Sequence, residues 1–263
     1  MSRFGVTSHH RSCLGAWLLL LSVAGAGCIP VRTVENGRLN KNALEKTFAG
    51  TEKLRGLKRT AEVPSKAVGR KQVAAVLADY SRDHAAATRS EQLLHRKLGI
   101  LPPVLARESV TEKMMEGPVA GFYIPDSKQL FVISDYSAAV RFQMDLVGML
   151  NGTDFGYDMI LSHEIAHALQ DQHYDLMQLD ETGRHDNTDR SLAFVSLVES
   201  DANVVGFAYS HAMDPRGDIK RAILHGYIRL NYWLNLPLIP LLAPGVPAFY
   251  RSVSFGHYVR GMP

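Results

Sequence analysis

His163-Glu164-Ile165-Ala166-His167 constrains this chain more than any other stretch, because it matches the pattern H-E-x-x-H. On a helix, positions i and i+4 share one face about one turn apart. Two imidazoles so placed can close on a single Zn²⁺ at roughly 2.0–2.1 Å. Glu164 follows His163 directly and is badly placed to share that coordination, so the pattern assigns it a different task. It can take the proton of a water that attacks a substrate. The surrounding sequence supports a helix. Ile160, Leu161, Ile165, Ala168 and Leu169 form an apolar stripe, Asp154 or Asp158 can cap the start, and neither Pro nor Gly interrupts 157–174. Asp171, four residues after His167, is placed to accept a ring N–H or to support its neighbours around the ligands. His173 reads as a solvated or capping residue.

A zinc site that performs hydrolysis uses three protein ligands and keeps a fourth position open. The best third ligand is Glu199, in Ser196-Leu197-Val198-Glu199-Ser200-Asp201-Ala202-Asn203. Thirty-two residues separate it from His167, enough for one helix to end, a polar loop over 180–189 to turn, and a second helix to return. That second helix, over 190–209, is rich in Leu, Val and Phe. A carboxylate in such a setting is costly to bury unless paired or metal-bound. Asp201 and Asn203 are candidates for orienting a ligand, Asn203 because it shares Glu199's face. His185 and His211 are rival third ligands.

These two segments resemble the gluzincin group of zinc metallopeptidases. The run Leu161-Ser162-His163-Glu164-Ile165-Ala166-His167-Ala168-Leu169-Gln170-Asp171-Gln172-His173-Tyr174 and the element Val198-Glu199-Ser200-Asp201-Ala202 are similar to bacterial envelope proteins of that type. The resemblance is close between Gly121 and Gly206 and extends more loosely from about residue 55 to the end. It implies a zincin-like α+β domain, mostly helical, with a small edge β-sheet or hairpin before the metal helix. It further implies one zinc per chain, a peptide or protein substrate, and hydrolysis by an activated water with Glu164 as general base. Such enzymes add a group that stabilises the oxyanion. Tyr123, His225, Tyr227, Tyr232, His257 and Tyr258 all remain candidates. The competing reading is an envelope lipoprotein that holds zinc for a scaffolding or binding role, with little or no turnover.

Upstream, residues 120–134 read as a β-hairpin with aromatic and β-branched arms around Pro125-Asp126-Ser127-Lys128. It serves either as scaffold or as a cleft edge that pairs with an extended substrate. The amino terminus carries Arg3 and Arg11 and no acid, then an apolar stretch from Leu14 to Gly27 that includes Trp17 and four consecutive leucines. That pattern fits a secretory signal over 1–27. The small residues before Cys28 resemble a bacterial lipoprotein signal, with Cys28 as the lipidated residue. Cleavage after Ala26 and free secretion is the alternative. The expected location is therefore the cell envelope, lipid-anchored to a membrane. Removing the signal leaves Cys28 as the lone cysteine, so the domain forms no internal disulfide. It also brings the net charge from +3 to +1, which gives no argument for nucleic-acid binding.

The remaining expectations concern organisation. A polar tether is expected over 28–54, with the basic residues between Lys41 and Lys71 solvated, and the metallopeptidase-like domain over 55–263. An edge strand is expected within 58–68, helices within 71–84, 90–98 and 135–150, and no internal repeat. Four prolines make 234–249 a buried or cleft-lining segment rather than a membrane span, with membrane contact as the alternative. The chain ends just past a helix-like run over 248–259. A domain truncated at its carboxyl end is expected, with a natural helix end capped at Gly261 as the alternative.

Overall fold

A computed structural model describes residues 32–73, 75–76, 93–94, 96–99, 121–135, 155–179, 188–213, 216–235 and 247. Among them the chain is mostly helical with two small sheets, which is α+β at the coarse level. Of the helix expected over 90–98, residues 93–94 and 96–97 are described and helical; the helix expected over 135–150, the run over 248–259 and the signal segment with Cys28 lie wholly or largely outside the described residues.

The region expected to be a tether is folded, which corrects that reading. Strands β1 (Val34–Glu35) and β2 (Arg38–Leu39) form a minimal antiparallel hairpin. Its loop is Asn36-Gly37, both at positive φ (51° and 74°), the chemistry that a two-residue hairpin turn demands. Helix α1 (Lys41–Arg55) follows. The Asn40 side chain accepts from the Ala43 N–H at 3.2 Å to cap its start, and Gly56 at φ 75° closes its end through a bond to Glu52 O. Leu44 and Phe48 of α1 are buried in the main core. Of the basic residues expected to be solvated, Arg59 is instead paired: it bonds Glu52 (2.7 Å) and Glu45 (2.9 Å), and its guanidinium stacks 4.4 Å above the Phe48 ring. The polar composition of 41–55 concealed a two-sided helix.

Strand β3 (Ser65–Val68) begins just after Pro64 and lies at the edge of a three-stranded sheet of order β3-β5-β4. It runs parallel to β5 (Gln129–Ile133), which pairs antiparallel with β4 (Gly121–Ile124) in the register Gly121↔Val132, Tyr123↔Leu130. The hairpin expected over 120–134 is therefore present. Its turn leaves Lys128 in the left-handed region (φ 53°), an uncommon place for a long side chain.

Helix α2 (Phe155–Tyr174) carries the motif and is apolar on more than one face, as a central helix must be. Leu161, Ile165, Ala168 and Leu169 pack with Leu44 and Phe48 of α1 and with Tyr123, Leu130 and Val132 of the sheet. Helix α3 (Thr188–Ser210) returns alongside α2, and α4 (Asp218–Asn235) packs on α3 through Leu224, Ile228, Phe207 and Ala208. Gly206 sets the α2–α3 spacing. A Cβ there would lie 2.7 Å from the Met159 carbonyl oxygen and 3.4 Å from His163 Cβ, so only glycine admits α3 this close to the motif.

Candidate metal centre

The helical register of α2 brings His163 and His167 to one face, both buried, with their rings 4.6 Å apart. The close approach of α3 delivers Glu199 to the same point. His163 Nε2 lies 3.1 Å from Glu199 Oε2 and 3.0 Å from His167 Nε2, and His167 Nε2 lies 3.5 Å from the carboxylate. A tetrahedral zinc site with bonds of roughly 2.0–2.1 Å needs ligand atoms about 3.3 Å apart. The three donor atoms fit that requirement. Among the described residues they form a group able to hold a metal ion. Of the rival ligands, His211 is engaged elsewhere, by Phe207 O and the Tyr227 hydroxyl, and His185 lies outside the described residues.

A hydrogen-bond chain fixes the orientation of His167. Gln170 Nε2 donates to Val198 O (3.2 Å) and to Asp201 Oδ2 (2.7 Å), which commits both amide protons. Its oxygen therefore faces His167 Nδ1 at 2.9 Å and accepts that N–H. In the neutral ring the remaining lone pair sits on Nε2, pointing at the donor cluster. Asp201 is in turn held by Arg55 Nε at 2.7 Å, from the last turn of α1. Asp201 thus reaches His167 through Gln170. Asn203 is buried on α3 one turn beyond Glu199. The imidazole acceptor expected of Asp171 is Gln170 instead.

Asp171 does something else. Its side chain, 0% exposed, accepts from the Tyr123 hydroxyl (2.6 Å), from Lys128 Nζ (2.9 and 3.0 Å) and from the Leu176 N–H (3.1 Å). These bonds clamp the hairpin onto α2 and secure Lys128 in its unusual backbone conformation. The clamp has a consequence at the backbone of the same residue: the Tyr123 N–H donates to Glu164 Oε2 at 2.9 Å. The backbone of β4, an edge strand among the described residues, therefore orients the motif glutamate. With its hydroxyl committed to Asp171, Tyr123 is not positioned as the oxyanion donor. Burial and the Asp171 carboxylate both raise its pKa.

The charges in this cluster are strongly coupled. Burial raises the Glu164 pKa, and Glu199 adds to the rise against the opposing pull of both imidazoles and the Tyr123 N–H. Burial works against ionisation of His167, yet the Glu199 carboxylate outweighs it and lifts that imidazole to about 9. For Glu199, too, burial opposes the charged form, and the two imidazoles overcome it, holding the carboxyl well below its usual range. Without a metal the site is thus an imidazolium–carboxylate pair, and a cation must displace a proton to enter.

No family model, curated protein or solved structure matches the chain. The case for a metal centre rests on side-chain geometry. Sequence reasoning missed Gln170, Arg55 and the Tyr123 amide. Gln170 was within reach of it, lying three residues after His167 and so on the same face. Arg55 was not, being 146 residues from Asp201.

The chain of bonds makes an ordered prediction. Asp201→Ala frees Gln170 and loosens His167, and should weaken zinc about 10–100-fold, as loss of an outer hydrogen-bond partner does. Competition against a chromophoric chelator, at matched folded fraction by circular dichroism, reads the effect. An Asp201→Ala protein with unchanged zinc affinity would remove the orienting role.

Proposed function

We propose that this chain is a zinc-dependent peptidase of the bacterial cell envelope. The observation that carries the reading is the convergence of His163, His167 and Glu199 with Glu164 beside them, its carboxylate oriented by the backbone of β4. Zinc supplies Lewis-acid chemistry in such a site, polarising a carbonyl and making a nearby water more acidic. Glu164 takes the proton from the attacking water on its carboxylate and gives it to the leaving nitrogen. The edge of β4 offers an extended substrate main-chain pairing, placing the scissile bond across the cluster. Gln170, Asp201 and Arg55 keep His167 in its ligating tautomer.

Metal content and casein or peptide-library cleavage, measured on the wild-type protein beside Glu164→Gln, test the reading. Zinc held at stoichiometry with no cleavage of any peptide would leave the second reading, a metal-holding envelope lipoprotein with a scaffolding role. The envelope location is tested separately. If Cys28 carries the lipid, Cys28→Ser moves the protein from the membrane fraction to the soluble one with its zinc content unchanged. Unchanged fractionation with an unmodified Cys28 by mass spectrometry would favour cleavage after Ala26.

A further inference from the structure

Helix α4 buries one face, and among the described residues nothing packs on a second, apolar face. Leu224, His225 and Ile228 turn inward, while Ile223 (58% exposed), Leu230 (57%) and Trp233 (65%) stand outward with the edge of Tyr227. Positions 223, 227, 230 and 233 follow the i, i+4, i+7 spacing of a single stripe. The stripe has charged flanks. At about 100° per residue, Lys220 and Arg229 fall on opposite sides of it, each roughly a quarter-turn from its centre, and both are exposed. Asp218 is the sole acid of the helix, and it is bonded to Arg221 at 2.7 Å.

Three features on this face agree on one kind of partner. A large aliphatic and aromatic stripe favours transfer out of water. Tyr and Trp are the side chains that settle where an apolar region meets a wet one. Cations on both flanks favour a negatively charged plane, and their long stems let the charged heads reach it while the stripe is submerged. A helix with a strong apolar face and basic margins lies in the headgroup layer rather than crossing it.

We infer that α4 is a membrane-surface element, which lays Ile223, Leu230 and Trp233 into the interface of a bilayer containing anionic lipid, while Tyr227 stays packed on Phe207 and His211 at the margin of the contact. This contact is independent of any acyl chain at Cys28, and it would hold the domain at a set orientation to the bilayer.

Trp233 makes the contact directly readable. The sequence has two tryptophans, so Trp17→Phe in the full chain leaves Trp233 as the sole emitter. With vesicles of phosphatidylcholine containing phosphatidylglycerol, its emission should shift to shorter wavelength and be quenched by lipids brominated near the headgroup. Pure phosphatidylcholine and high salt should both reduce the response. The exposed double substitution Ile223→Asp and Leu230→Asp should weaken it about tenfold or more while circular dichroism stays unchanged. Retention of the chain on the vesicles through its amino-terminal apolar segment is a separate mode, and the local Trp233 signal distinguishes the two. Solvent-like Trp233 emission on anionic vesicles to which the chain is bound would overturn the inference. So would emission already blue-shifted without lipid and accompanied by a concentration-dependent rise in sedimenting mass, which would assign the face to a second copy of the chain.

Discussion

Glu164→Gln should keep its zinc and lose its hydrolysis. The substitution preserves size and removes only the proton acceptor, and Tyr123 N–H can still bond the amide oxygen that replaces Glu164 Oε2. The three donor atoms are untouched, so metal content measured by atomic emission should stay near that of the wild type. Loss of a positioned general base costs about 10²–10⁴ in rate. A peptide assay on matched preparations therefore expects a drop of at least two orders of magnitude at unchanged stoichiometry. Equal cleavage by both proteins would mean that a contaminant is being measured or that Glu164 is not the base. Zinc loss in the variant would mean that Glu164 contributes to coordination, against the assignment of Glu199.

The second large effect belongs to Glu199. Glu199→Ala removes one of three ligands and also the carboxylate that holds His167 charged in the metal-free state. Zinc affinity should fall by well more than the 10–100-fold expected of an outer partner such as Asp201. If Glu199→Ala keeps stoichiometric zinc while His211→Ala or His185→Ala empties the site, the third ligand is one of those histidines. The same carboxylate predicts a pH dependence. His167 has its folded pKa raised to about 9, so the stability its charge contributes to the metal-free protein is complete below about pH 6.5 and is lost as pH rises through 9. Glu199 has the opposite sign: its contribution is present above about pH 4.5 and is lost as pH falls through its depressed folded pKa. Chelated protein should therefore be most stable between those limits. Zinc affinity should rise about tenfold per pH unit until about pH 9 and then level off, as a ligand proton ceases to compete. Titrations of wild type and Glu199→Ala distinguish this from general surface charge, since the variant should lose most of the slope.

The site was legible where sequence spacing alone creates proximity. His163 and His167 meet because a helix repeats every 3.6 residues, and Glu199 was exposed by the cost of a carboxylate in an apolar run. The hairpin before them could be read from its turn chemistry. What escaped depends on contacts between distant segments. Asp171 has the right spacing to meet His167, but the hairpin captures it first through Tyr123 and Lys128, and Gln170 fills the place left. Helix α1 was hidden for another reason. Its apolar face holds few large side chains, and buried threonines complete it, with Thr51 Oγ1 bonding Thr47 O at 2.8 Å and meeting Ser162 Oγ of α2 at 3.2 Å. Polar residues that bond inward look the same in a sequence as polar residues in water. The Asn36-Gly37 turn before that helix was a signal in plain view.

The bond from Arg55 to Asp201 gives α1 a part in whatever the metal does. Because Arg55, Asp201, Gln170 and His167 form one continuous series, the conformation that would best hold a metal ion is also the one in which the last turn of α1 is wound. If a metal occupies the centre, its occupancy and the winding of that turn should be linked, each favouring the other by the same free energy. Metal entering between α2 and α3 would slow amide exchange at the end of α1, and fraying there would appear as faster zinc release. The segment that reads in sequence as a tether is in that sense a reporter of the site it supports.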